Sequence, residues 1–118
     1  MDIGTKILEY RKKAGLSQEE FDFPNALISI GDEAFSCCIK LTKLVLPNKL
    51  EHIGTKAFYS CSKLESIVIP ISVTSVGNFI FRACDKLTIY CVASSKPSEW
   101  FKGWNYDEIP VVWGYRNA

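Results

Sequence analysis

Ile53-Gly54-Thr55-Lys56-Ala57-Phe58-Tyr59-Ser60-Cys61-Ser62-Lys63-Leu64 decides the fold, because the same pattern occurs three times in the chain. Ile30-Gly31-Asp32-Glu33-Ala34-Phe35-Ser36-Cys37-Cys38-Ile39-Lys40-Leu41 precedes it by 23 residues. Val76-Gly77-Asn78-Phe79-Ile80-Phe81-Arg82-Ala83-Cys84-Asp85-Lys86-Leu87 follows it by the same step. The apolar, Gly, Phe, Cys and Leu positions all keep frame. A unit of this length leaves its top and bottom apolar faces open and buries them only by stacking on its neighbours. The expected architecture is a right-handed solenoid of 23-residue coils, mostly short strands and turns, in one domain over residues 1–118.

Inside one coil the alternation is readable. Leu44 and Leu46 point inward while Lys43 and Val45 point outward along a short strand. Pro47 ends that strand, having no N–H for a continuing ladder. Leu50 and Ile53 return to the core over a second extended segment, and Gly54 permits the bend by positive φ or close backbone approach. The frame reaches back to Phe21, Phe23, Pro24 and Leu27, which stand 23 residues before Leu44, Leu46, Pro47 and Leu50. The repeats are therefore expected over residues 21–93, the first as a half-coil. In the third coil strict frame would send Tyr90 and Val92 inward. Removing one residue instead hides Ile89 and leaves Thr88 and Tyr90 outside, which costs less because side chains alternate with period two.

The two ends differ from the repeats. Ile3, Ile7, Tyr10 and Ala14 fall on one helical face, Gly15 ends that helix, and Ser17 with Glu20 has capping-box spacing for a second. Residues 1–20 are accordingly expected as a helical N-terminal cap, making the fold class α/β. Residues 94–118 hold all three tryptophans and a final strand around Ile109–Tyr115. They are expected as a Trp-rich C-terminal cap over the open end of the solenoid. An aromatic platform for carbohydrate is the other reading of these indoles.

The pattern Ile-Gly-x-x-Ala-Phe-x-x-Cys-x-x-Leu-x-x-Ile-x-Ile-Pro resembles the BspA-like bacterial leucine-rich repeat family, and the resemblance covers residues 21 to about 92. It implies a leucine-rich repeat solenoid and an interaction protein exposed at the cell surface or secreted. Ile80 stands where that pattern has Ala, and Ala93 where it has Pro. A second resemblance covers residues 3–20. Arg11-Lys12-Lys13-Ala14-Gly15-Leu16-Ser17-Gln18-Glu19-Glu20 is similar to the opening of an XRE/Cro-type helix-turn-helix, but the pattern breaks at Phe21 and no recognition helix follows.

Composition narrows function. With 47% hydrophobic and 23% charged residues the chain is too apolar for disorder, and a net charge of +1 gives no global pull toward nucleic acid or anionic membrane. Residues 1–6 lack the apolar core of a signal peptide, so a cytoplasmic location is expected from the residues. No apolar run is long enough for a membrane span. Five cysteines without that signal argue against a disulfide framework, although stacked copies of the repeat Cys would lie close enough for one bridge. Cys38, Cys61 and Cys84 are expected as buried filler.

Neither metal nor cofactor is called for. There is no Cys-x₂-Cys pair, His52 is the single histidine, and the glycines are isolated. A Cys–His nucleophile would need His52 to lower a thiol pKa, which an apolar interior opposes. His52 occupies the slot of Ser29 and Ser75, an exposed variable position. The expectation is a non-enzyme, with no catalytic residues.

What remains is a binding face made of Lys43, Val45, Ser66, Val68, Thr88 and Tyr90. The expected function is a non-catalytic module for protein–protein interaction, with a host surface or glycan as other partners and homodimerisation through an end or edge as a further option. The alternative is a DNA-linked transcriptional regulator carrying the truncated helix-turn-helix.

Overall fold

The structure, a computed structural model, describes Phe23 and residues 26–116. The helix-turn-helix-like segment and the expected helical cap fall in residues 1–20, outside the described residues. Seven short strands occur among those described: β1 (Ser29–Ile30), β2 (Lys43–Val45), β3 (His52–Ile53), β4 (Ser66–Ile69), β5 (Ser75–Val76), β6 (Thr88–Cys91) and β7 (Val111–Trp113). They form two parallel sheets, β1-β3-β5 and β2-β4-β6-β7. β1 with β2, β3 with β4 and β5 with β6 each give one strand to the smaller sheet and one to the larger, and β7 joins the larger alone, which is how a stacked solenoid arises from a fixed repeat.

The register follows the sequence step. Lys43 pairs with Ser66 and Leu44 with Ile67, 23 residues on; Ile30 pairs with Ile53 and Ile53 with Val76. Between β4 and β6 the step shortens: Ile67 pairs with Ile89 and Val68 with Tyr90. One residue is thus missing between Leu87 and Ile89, and this puts Ile89 and Cys91 inside with Thr88 and Tyr90 outside.

The class α/β needs correcting: among the described residues there are strands and turns but no helix. The return limb shows why. Ala34, Ser36 and Cys38 donate their N–H groups three residues back, to Gly31, Glu33 and Phe35. The intervening Glu33, Phe35 and Cys37 donate instead to Thr55, Ala57 and Tyr59 of the next coil, at 3.0, 2.8 and 2.6 Å. The middle coil repeats this with Lys56, Phe58 and Ser60 donating to Asn78, Ile80 and Arg82. A helix would send every N–H to its own i−4 carbonyl; here every second donor is spent between coils.

That ladder sets the backbone. Glu33, Lys56 and Phe79 have φ of 58°, 57° and 55°, and Cys37, Ser60 and Ala83 have 61°, 59° and 64°. Gly54 and Gly77 do not share this conformation, so of the two expected roles it is close approach that requires them. A Cβ on Gly77 would come within 2.6 Å of Thr55 N, and one on Gly54 within 2.7 Å of Gly31 C.

The core is one column through all coils. Phe35, Phe58 and Phe81 stack with centroids 5.5 and 5.7 Å apart, and Phe23 meets Phe35 edge-on. Ile30, Ile53 and Val76 form a second buried column, and Leu41, Leu64 and Leu87 a third. The C-terminal segment closes this column as an irregular last coil. Trp100 and Trp104 are buried and form a three-ring cluster with Trp113, and the Trp100 indole N–H donates to the Val73 carbonyl at 3.2 Å. Phe101 N donates to Val76 O, Phe79 N to Gly103 O, and β7 pairs with β6. The indoles face inward here, as cap residues.

Candidate functional site

The outer face of the four-stranded sheet is built by alternation. Each strand must turn its Leu or Ile inward, so the residues between them face solvent. Register then aligns these residues across strands. Lys43, Ser66 and Thr88 form one row; Val45, Val68, Tyr90 and Val112 form the next. Val45 is 68% exposed and Val112 42%, whereas Ser66, Val68, Thr88 and Tyr90 are half-buried.

The structure brings together all six residues expected on this face and adds two. Val112 continues the apolar row onto β7. Tyr115 reaches it because Gly114, at φ 70°, turns the chain so that Gly114 N and Tyr115 N both donate back, to Ala93 O and Cys91 O at 2.8 Å. The Tyr115 ring lies 5.1 Å from that of Tyr90. No repeat signature marks residues 105–118, so only the β-rich run Ile109–Tyr115 suggests a further strand in the sequence, and the structure narrows it to Val111–Trp113.

The residues that carry chemistry elsewhere are dispersed. His52 lies on β3, and its Nδ1 is 3.0 Å from the Ser75 hydroxyl one coil on, with Ser29 its register partner on the other side. No thiol is its partner there. Cys37 is exposed; Cys38, Cys61, Cys84 and Cys91 are buried, and none of the five forms a disulfide. The Cys61 thiol donates to Phe35 O and the Cys84 thiol to Phe58 O, each at 3.1 Å. Hydrogen bonding to the Cys84 thiol, together with burial, raises the Cys61 pKa, and burial pushes the Cys91 thiol up to about 12. Cys61 and Cys91 therefore stay protonated at neutral pH, the opposite of a nucleophile, whereas the hydrogen bond from Cys61 lowers the pKa of the buried Cys84.

Two carboxylates hold backbone in place of chemistry. Asp32 Oδ1 accepts from Thr55 N at 2.9 Å. Asp107 Oδ2 accepts from Ala83 N at 2.9 Å while its Oδ1 pairs with Arg82 Nε at 3.1 Å. In the two preceding coils that ladder position, Cys37 N and then Ser60 N, donates to a main-chain carbonyl. Asp107 therefore supplies the acceptor that a further coil would have supplied. Arg82 also covers the Tyr106 ring at 4.6 Å, and Phe79 meets Tyr106 edge-on. This cluster fastens the cap.

Among the described residues no group of three or more His, Cys, Asp and Glu side chains could hold a metal ion, and no helix is long and apolar enough to cross a membrane. The BspA type leucine rich repeat region matches residues 5–104 in six copies, and the chain belongs to that family. No curated protein and no solved structure matches it.

Proposed function

From that family membership we propose that the chain is a non-catalytic module for protein interaction and that it engages its partner through the outer face of the β2-β4-β6-β7 sheet. The observation that carries this reading is the row Val45, Val68, Tyr90 and Val112, four apolar side chains in register on a solvent-facing surface. A soluble sheet that faces water normally alternates apolar inside with polar outside. Here every strand breaks that rule at the same register position.

Two further features support it. The flanking Lys43, Ser66 and Thr88 supply a polar border, the usual arrangement around an apolar interface centre. Tyr90 is amphipathic and rigid, suited to anchoring an interface. The row spans about 14 Å at the spacing of parallel strands, so an interface on it alone is small and transient.

The test is quantitative co-purification with wild type and with the double variant Lys43→Glu, Tyr90→Ala. Loss of the specifically recovered proteins is the expected result. Full recovery by the double variant rules this face out.

A further inference from the structure

The outer face carries a charge pattern beside its apolar row. Lys40, Lys63 and Lys86 stand 23 residues apart, at the turn leading into β2, β4 and β6, and all three are exposed. Lys43 adds a fourth cation on β2. Stacked coils repeat at about 4.8 Å, so these cations form a column along the stacking direction, where like charges repel.

No ion pair among the described residues involves that column. Among the described residues the one ion pair is Arg82–Asp107, in which none of these lysines takes part. Glu65 and Asp85 are the carboxylates nearest in sequence; both are exposed and neither forms an ion pair. Glu108, three residues before the Val111 that pairs with Ile89, adds a third carboxylate at the C-terminal end of the column, so four cations face three anions and the region keeps a net positive charge.

Column and apolar row run side by side. Lys40 precedes Val45 by five residues, Lys63 precedes Val68 by five, and Lys86 precedes Tyr90 by four. At about 3.3 Å per extended residue the two bands lie at most ~17 Å apart. The surface is thus banded, basic on one side and apolar on the other, with both bands following the stacking axis.

We propose that the occupant of this face is an acidic segment of a partner protein, laid along the stacking axis, with carboxylates over Lys40, Lys63 and Lys86 and apolar side chains on Val45, Val68, Tyr90 and Val112. This rests on the strand-face reading above and adds the chemistry of the partner. An amphipathic polypeptide matches both bands at once. A phosphate backbone uses only the cations, and base stacking needs a run of aromatic rings along the strand where this face offers the single pair Tyr90 and Tyr115 beside three Val. Opposite charge also steers encounter, which suits a small interface.

The probe is a short synthetic peptide alternating Glu with Val and Tyr, compared with the same peptide carrying Lys in place of Glu. Binding is followed by backbone amide NMR shifts and fluorescence anisotropy at low and at physiological salt. The acidic peptide is expected to shift β2, β4 and β6 amides, to bind more weakly as salt rises, and to lose roughly tenfold or more in affinity to the triple variant Lys40→Glu, Lys63→Glu, Lys86→Glu. The basic peptide should bind that variant better than wild type.

If both peptides bind wild type equally and only Val68→Asp abolishes binding, the acidic partner is wrong while the strand face stands. If neither peptide shifts the sheet, the acidic segment is wrong, and co-purification with the Lys43→Glu, Tyr90→Ala variant decides separately whether the strand face stands. If duplex DNA or phosphatidylserine vesicles bind the column as tightly as the acidic peptide and compete with it, the column is a general polyanion site and the proposal is overturned.

Discussion

The Phe35 and Phe58 rings lie 5.5 Å apart at their centroids and within 9° of parallel, one coil directly above the other. Phe58 repeats the contact with Phe81 at 5.7 Å and 10°. Phe58 is therefore the central ring of a stack that links three coils. Phe58→Ala is expected to cost about 3–5 kcal/mol, measured by urea denaturation. Leu64→Ala in the same coil should cost about 2–5 kcal/mol. His52→Ala removes one half-buried hydrogen bond to Ser75 and should cost no more than about 1 kcal/mol. Equal tolerance of all three would show that the coil frame is misassigned.

The thiols give a labelling prediction. Cys37 is exposed, and the other four cysteines are buried. Native protein treated briefly with iodoacetamide should carry one adduct, at Cys37, by peptide mass spectrometry. Early modification of Cys61 or Cys91 would contradict the buried column.

Cys91 also makes stability depend on alkaline pH. Its folded pKa is about 12 against an ordinary 9.0, because burial disfavours the thiolate. A raised folded pKa means that the contribution is intact below pH about 9 and is lost as pH climbs toward about 12, since the unfolded chain ionises first. Urea midpoints across that window should fall more steeply for wild type than for Cys91→Ala. Parallel curves would show that Cys91 is not shielded.

The cap hangs on Asp107. Asp107→Ala removes the acceptor for Ala83 N and the partner of Arg82. Both groups lie near solvent, which replaces part of what is lost, so the expected cost is about 1 kcal/mol. The sharper readout is amide exchange, which should rise at Ala83 and across residues 100–113 and leave Phe58 unchanged. Asp107→Asn keeps an oxygen for Ala83 and should recover much of the protection. A uniform rise across all coils would contradict a local clamp.

Much of this architecture is legible in the amino-acid sequence. Phe35, Phe58 and Phe81 announce themselves through the 23-residue step. The outward set Lys43, Val45, Ser66 and Val68 follows from strand alternation alone. Even the lost residue before Ile89 could be placed, because a whole strand would otherwise turn its apolar side to water.

Other features left no trace, for physical reasons. Glu33, Lys56, Phe79, Cys37, Ser60 and Ala83 include no residue type with a preference for positive φ. The inter-coil ladder imposes that conformation against local propensity. Val112 joins the outer row through a pairing of β7 that no motif encodes. Asp107 works by taking the place that a main-chain carbonyl holds opposite Cys37 and Ser60, a role invisible to any repeat pattern.

The claim at the centre is that partners meet the sheet face bearing Val45, Val68 and Val112. The direct measurement places a photo-crosslinking amino acid at each of these positions and, for comparison, at Ile71 and Thr74, exposed positions just before β5 of the smaller sheet. Irradiation in cells is followed by mass spectrometry of the adducts. The account predicts intermolecular adducts from Val45, Val68 and Val112 and background from Ile71 and Thr74; adducts formed chiefly from Ile71 and Thr74 would contradict it.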